Sequence, residues 1–206
     1  MDLFGFHKSD NEVNQASLAM IPGLTLLPDF VSSSEEQSLL QSIDEAQWLH
    51  DLQRRVQHYG YKYDYKARSI NHSMHIGPLP SWSEIITQRM IDQDLINFTP
   101  DQLIINEYIP GQGIAAHTDC EPCFGDTIIS LSLGGTCVMN FTTKNDTKES
   151  VPILLENRCL VIMRKESRYN WTHGIAARKS DVFNDNKFLR KRRVSMTWRK
   201  VSLASV

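Results

Sequence analysis

From Gln102 to Val201 the chain is written in short β-branched and aromatic runs cut by turn residues, and that rhythm leaves few folds open. The runs are QLIINEYI, GIAAHTD, TIISLSL, TCVMNFTT, VPILLE, CLVIMR and RVSMTWRKV, with turns at Pro110-Gly111 and Gly134-Gly135. Two stretches of helical period precede them. Helices first and strands afterwards predict an α+β fold with a strand-rich core.

Upstream, residues 1–19 are polar and lack a period, which predicts a loose N-terminal arm. Residues 24–31 read as a short strand leading into a turn. Ser32 and Ser33 stand three residues before Glu35 and Glu36, two overlapping capping boxes for a helix over 33–47 with Leu39, Leu40, Ile43 and Ala46 on its apolar face. A second helix is predicted from Ser81, with Glu84 at its third position and Ile85, Ile86, Met90 and Ile91 inward. Between them, Tyr59, Tyr61, Tyr63 and Tyr65 alternate at strand period. No repeat or internal boundary appears, so 20–203 is expected to be one domain, with 53–80 a lid and 102–200 the barrel core.

The 206 residues carry a formal net charge of −2, so any nucleic-acid surface has to be local rather than global. The N-terminal residues do not read as a secretion leader, and no apolar run approaches the roughly 18 residues a membrane span needs. The expectation is a monomer of the cytoplasm or nucleus, not associated with membrane, with free cysteines. Cys120-Glu-Pro-Cys123 can be half a zinc site or a redox pair, but without a second CxxC it reads as two loop thiols.

His117-Thr-Asp119 ends a predicted strand, where residues two apart share a face, so an imidazole and a carboxylate converge. His173, after the apolar strand 159–163, can supply a third ligand. Two His and one carboxylate leave coordination positions open, which suits non-haem Fe(II) with a bidentate co-substrate and O2. His-x-Asp alone is a weak signal, and each of these residues read singly is equally a hydrogen-bonded surface or core side chain. The last strand adds weight. Its alternation puts Arg193, Ser195, Thr197 and Arg199 on one face and Val194, Met196 and Trp198 on the other. Two arginines facing inward call for anions. The same pattern also fits an edge strand with a solvated face.

Taken together, these segments resemble the AlkB family. The match runs through Asn106-x-Tyr108-x-Pro110-Gly111, His117-x-Asp119, Ser130-Leu-Ser132-Leu-Gly134, His173, and Arg193 with Arg199. It extends, over roughly 20–200, to the branch whose members hydroxylate wobble uridines of tRNA, through Arg54-Arg-Val-Gln-His-Tyr-Gly-Tyr61, Pro110-Gly-Gln-Gly113 and Glu166-Ser-Arg-Tyr169-x-Trp171-Thr-His173-Gly174. The resemblance implies a double-stranded β-helix (jelly-roll) barrel with helices on one side. It implies an Fe(II)- and 2-oxoglutarate-dependent dioxygenase using O2, with iron on His117, Asp119 and His173. Arg193 and Tyr108 would take the distal carboxylate of 2-oxoglutarate, and Arg199 and Asn106 the proximal one, with Ser195 and Thr197 on the same inward face. Wobble hydroxylases of eukaryotes carry an RNA-recognition motif and a methyltransferase domain beside this unit. Here those roles are expected to fall to separate RNA-binding and methyltransferase partners.

Substrate contacts are expected from the segment before the barrel. Arg54, Arg55, Lys62, Lys66 and Arg68 can meet phosphates, and His58, Tyr59, Tyr61 and Tyr63 can line or stack on a flipped base. Alternating tyrosines are as readily sheet-face residues. The run Lys187, Arg190, Lys191, Arg192, Arg193 is a second candidate rim, or a solvated loop. Oxidation of an RNA base, with hydroxylation of a wobble uridine side chain foremost, is the leading expectation. Demethylation of N-alkylated bases in DNA or RNA, protein hydroxylation and a non-catalytic binding module are the alternatives.

Overall fold

The structure, a computed structural model, describes residues 9–50 and 53–203. In chain order the strands are β1 (Leu24–Leu27), β2 (Val56–Tyr59), β3 (Gln102–Tyr108), β4 (Ile114–His117), β5 (Phe124–Gly134), β6 (Cys137–Thr143), β7 (Ser150–Leu155), β8 (Leu160–Met163), β9 (Trp171–Ile175), β10 (Ser180–Phe183), β11 (Asn186–Leu189) and β12 (Arg193–Val201). The helices are α1 (Asp10–Ala19), α2 (Ser33–Glu45), α3 (Glu84–Asp92) and α4 (Lys165–Tyr169). A six-stranded sheet in the order β1-β8-β5-β12-β3-β2 faces a four-stranded sheet in the order β4-β9-β6-β7, and β10-β11 forms a hairpin beside them. This is the expected jelly roll, with α2 and α3 covering the outer face of the larger sheet.

The alternation of β12 explains both layers. Val194, Met196 and Trp198 are fully buried against α2 and α3, with Leu39, Ile43, Ile86 and Met90. Arg193, Ser195 and Thr197 face the space between the sheets, also buried. The inward arginine strand is therefore central, paired with β3 on one side and β5 on the other, and not a solvated edge.

Three local expectations are corrected. Residues 10–19 are a helix, not a loose arm; residues 1–8 of that arm lie outside the described part. Ser9 and Glu12 form a capping box that starts α1, and the buried Asn14 fastens it to the outer strand β7. Asn14 donates to the Leu154 carbonyl at 3.0 Å and accepts from the Leu154 N–H at 2.9 Å. One polar side chain thus covers a sheet edge that would otherwise offer free backbone groups. Asn14→Ala is expected to cost about 1–3 kcal/mol, because it leaves a buried N–H and C=O without partners, and urea titration will measure it. Of the two capping boxes at α2, Ser32 with Glu35 forms, while Glu36 is buried and accepts from the Gly134 N–H at 2.7 Å. The tyrosine alternation does not make one long strand. β2 ends at Tyr59, and Gly60, with φ at +74°, turns the chain where a side chain would strike the Asp101 carbonyl. Residues 61–76 then form a loop of isolated bridges, Tyr61 to His75 and Asp64 to Ser69.

Candidate metal and co-substrate site

β4 and β9 place the three metal-ligand candidates. The register pairs Ile114 with Ile175 and His117 with His173, so β4 carries one extra residue, a bulge. The bulge turns both Ile114 and His117 inward. It also presses β4 onto β9. A Cβ at Gly174 would lie 2.8 Å from the Ala116 Cα, so only glycine fits there. The His117 and His173 rings sit 4.5 Å apart. Asp119, just past the strand, brings Oδ2 to 3.6 Å from His173 Nε2. One ligand atom from each of the three lies within 4.8 Å of the others, close enough for one ion to be shared.

Hydrogen bonds fix which atoms are free. His117 Nδ1 donates to the Ala115 carbonyl at 2.9 Å, leaving Nε2 as the basic nitrogen. Arg199 holds Asp119 Oδ1 at 2.6 Å, leaving Oδ2 to face the histidines. Burial alone would raise the Asp119 pKa, but Arg199, His173 and His117 hold it well below the usual carboxylate range. Burial, together with His117, depresses His173 to about 4, so its ring is neutral at pH 7, the form that binds a metal.

Behind these residues lies a small cavity lined by Asn106, Tyr108, Ser130, Arg193, Ser195 and Thr197. Ser130 and Ser195 share a hydrogen bond at 2.9 Å. Arg193 is 4% exposed. It donates from Nη2 to Ser132 at 2.8 Å and lies 5.6 Å from the Tyr108 ring centroid. Its Nε has no hydrogen-bond partner, and no carboxylate among the described residues pairs with it. A buried guanidinium without an anion is costly. A carboxylate from solution supplies the missing partner, and this donor set fits 2-oxoglutarate.

In front of the ligands opens a second cavity of about 300 Å3, walled by Tyr63, Tyr65 and Phe124, with Arg54 and Arg68 beside them. Arg54 donates to Asn106 at 2.8 Å. Neither arginine pairs with a carboxylate among the described residues. Tyr63 meets Phe124 at 5.5 Å and Tyr65 at 5.1 Å between centroids. His58 faces the same side, its ring 5.8 Å from Tyr65. Tyr61 packs on His75 at 4.9 Å, at the base of the loop, and Lys62 is exposed on that loop.

Other expected substrate contacts lie elsewhere. β2 alternates, so Arg55 and Tyr59 face the helices. Arg55 pairs with Glu107 at 2.6 Å, and Tyr59 packs edge-on against Trp82. Arg192 joins Glu107 at 2.7 Å on that same outer side, and Arg190 is buried against Asp181 at 2.6 Å. Arg190 and Arg192 are therefore ion-paired and Arg193 is buried, which leaves Lys187 and Lys191 as the exposed cations of that run. Sequence reasoning passed over Arg168, which is 2% exposed. It donates to the carbonyls of Asp119 at 2.9 Å and Cys120 at 3.3 Å, so it anchors the loop that presents Asp119. A cation in a five-residue helix carries no sequence signal of burial. Cys120 and Cys123, expected as thiols, are joined in a disulfide. Their turn, closed by the Cys123 N–H on the Cys120 carbonyl at 3.2 Å, brings the Cα atoms to 5.2 Å.

Comparison with known proteins agrees with this geometry. Residues 23–199 match the model of the 2OG-Fe(II) oxygenase superfamily. An Arabidopsis thaliana protein named alkylated DNA repair protein ALKBH8 homolog is 38% identical over 214 residues, covering 93% of this chain and 60% of that protein. The Xenopus tropicalis tRNA (carboxymethyluridine(34)-5-O)-methyltransferase alkbh8 is 43% identical over 171 residues, covering 81% of this chain and 27% of that protein. The chain thus spans less than two thirds of either relative, and about a quarter of the second. The solved structure of OsALKBH1 superposes with a TM-score of 0.67 at 19% identity, over 87% of this chain and 97% of that one, which supports the fold. With the barrel, the His-Asp-His cluster and the anion-ready arginine strand in place, the chain belongs to the 2OG-Fe(II) oxygenase superfamily as an AlkB-type 2-oxoglutarate-dependent dioxygenase.

Proposed function

We propose that this dioxygenase oxidises a nucleic-acid base, and that its substrate is a modified uridine at the wobble position of tRNA, hydroxylated on its 5-substituent. The observation that carries the reading is the front cavity. It opens directly onto His117 and Asp119, has three aromatic walls, and is flanked by Arg54 and Arg68, neither of which pairs with a carboxylate among the described residues. Aromatic walls take a flipped base by stacking, and free arginines take its phosphates. The name of the Xenopus relative points to position 34 of tRNA.

In this reading His117, Asp119 and His173 hold Fe(II). Arg193, with Tyr108 beside it, would bind the distal carboxylate of 2-oxoglutarate, and Asn106 would contact the proximal one. Arg199 orients Asp119. The bound metal with 2-oxoglutarate and O2 supplies the oxidising power that inserts oxygen into a C–H bond. The chain contributes binding, aim and exclusion of water. Ile114, Ile128, Met139, Val161 and Met163 give the inner cavity apolar walls.

The name of the Arabidopsis relative favours a second reading, repair of alkylated bases. The products separate the two. Oxygen placed on a carbon bonded to nitrogen gives an unstable adduct that releases formaldehyde, whereas oxygen on a 5-substituent stays as an alcohol. Mass spectrometry of nucleosides after turnover of tRNA and of alkylated DNA decides between them. Formaldehyde without a hydroxylated uridine would reject the wobble reading.

The rim makes its own prediction. Affinity for RNA should fall with added salt. Arg68→Ala should lower the slope of log affinity against log salt by about 1, one phosphate contact, at every sequence tested. Arg55→Ala should leave the slope unchanged, because Arg55 is engaged by Glu107 on the opposite face. A slope that responds to Arg55 and not to Arg68 would move the binding face away from the cavity.

A further inference from the structure

We propose that Cys120 and Cys123 form a reversible oxidation site, with hydrogen peroxide as oxidant, and that their dithiol form tethers the substrate loop 61–76 to the barrel. The inference rests on the reading of that loop as substrate-binding, and it begins from a contact the dioxygenase chemistry does not use. With the disulfide formed, as the structure shows it, the two sulfurs lie 3.3 and 3.4 Å from the carbonyl oxygen of Arg68, within reach of a thiol hydrogen once the bond is reduced. Arg68 sits at the tip of the loop that also carries Tyr63 and Tyr65. Its φ of 50° is a left-handed conformation, which is costly for a residue with a side chain. A contact at its carbonyl helps hold that conformation.

The chemistry differs between the two states. As thiols, Cys120 and Cys123 each carry a hydrogen that can be donated to the Arg68 carbonyl. As a disulfide, neither does, and the carbonyl faces sulfur without a donor. Oxidation therefore removes the polar part of the tether and leaves the packing of Tyr63 on Phe124. The pair also adjoins the metal-ligand loop, since Arg168 holds the carbonyls of both Asp119 and Cys120.

Access favours one order of events. Both are buried, at 6% and 4% exposure, but Cys120 lines both the front cavity and the outer depression beside His117, whereas Cys123 lines neither. Cys120 sulfur attacks one oxygen of the peroxide. The O–O bond breaks, one water leaves, and a sulfenic acid remains. Cys123 sulfur then attacks the Cys120 sulfur, expelling the second oxygen as water. Each cysteine loses one hydrogen, each sulfur is oxidised by one electron, and the peroxide is reduced by two. A small dithiol reverses the step by exchange. Cys137 and Cys159 are free but buried in the barrel. Burial pushes the Cys159 thiol up to about 12, which keeps it in the unreactive protonated form.

The test uses the full chain loaded with nickel(II), a redox-silent metal, treated with dithiothreitol or with hydrogen peroxide. Alkylation followed by peptide mass spectrometry should show both 120–123 thiols lost together in peroxide and recovered in dithiothreitol. In Cys123→Ser, dimedone should label Cys120. Hydrogen exchange across 61–76 should be about tenfold faster in the oxidised protein, the effect of losing two hydrogen bonds of ordinary net worth. Cys120→Ser/Cys123→Ser should show no response to peroxide. Thiols that survive peroxide, or loop exchange equal in the two states, would overturn the proposal. Affinity for an anticodon stem-loop RNA, measured on the same samples, should fall on oxidation. A loop that loosens with no change in that affinity would reject its role in substrate binding while leaving the oxidation site in place.

Discussion

His173→Ala abolishes 2-oxoglutarate turnover and leaves the barrel folded. The imidazole occupies a position where β9 pairs with both β4 and β6, opposite His117 and Phe141. Those ladders are made by backbone groups that alanine retains. The apolar interior is built by other residues, Phe141, Ile153 and Trp171 among them. The lost side chain is polar and sits at the inner cavity, so its removal takes little from the core, about 1 kcal/mol. Its removal from the metal is another matter. Two remaining ligands, His117 and Asp119, do not close a facial site. The expected result is no succinate above background, a melting temperature within a few degrees of wild type, and weak binding of a spectroscopic probe metal such as cobalt(II). A variant that retains turnover would remove His173 from the ligand set. A variant that unfolds would call for His173→Gln, which keeps volume and polarity.

How much of this was legible beforehand depends on how local the determinant is. β12 was readable because alternation is a property of the strand itself. Arg193, Ser195, Thr197 and Arg199 share a face in any β conformation, and the structure places that face inward. The His-x-Asp pair was readable for the same reason, although the bulge in β4 was not, since it arises from pairing with β9. The tyrosines show the limit. Their alternation runs through Gly60, and the turn there sends Tyr59 to the helix layer and Tyr63 and Tyr65 to the cavity. Basic residues show it again. Arg54 and Arg55 are neighbours with opposite fates, because the chain leading into β2 presents one to Asn106 and the other to Glu107. Which positive charges are free depends on where the acids fold to, and composition does not contain that. α1 was missed because its apolar residues are few. It is held by a capping box and by Asn14 on the edge of β7, a contact between segments far apart in sequence.

Arg193→Ala raises the KM for 2-oxoglutarate on the order of 10²- to 10⁴-fold, because withdrawing one partner from a buried, hydrogen-bonded charge pair costs about 3–5 kcal/mol. The free protein already contains half of that pair. The guanidinium is enclosed, anchored at Ser132, and set near the Tyr108 ring, with Nε still without a partner. It is therefore organised before the co-substrate arrives, and the arriving carboxylate forfeits little to ordering. Tyr108 belongs to the same arrangement. Burial raises its pKa, against the opposing pull of Arg54 and Arg193, so its hydroxyl stays protonated and able to donate. Arg193→Lys should recover only part of the loss, because an ammonium cannot span Ser132 and a carboxylate with a planar fork. The kcat at saturating 2-oxoglutarate should fall far less than kcat/KM, since the distal carboxylate lies away from the bond being oxidised. Tyr108→Phe should give a smaller rise in KM, about tenfold for one charge-assisted hydrogen bond. An Arg193→Ala enzyme whose KM for 2-oxoglutarate matches wild type would show that the dicarboxylate binds elsewhere, and the search would then move to Arg54, the other arginine near Asn106 that lacks a carboxylate partner among the described residues.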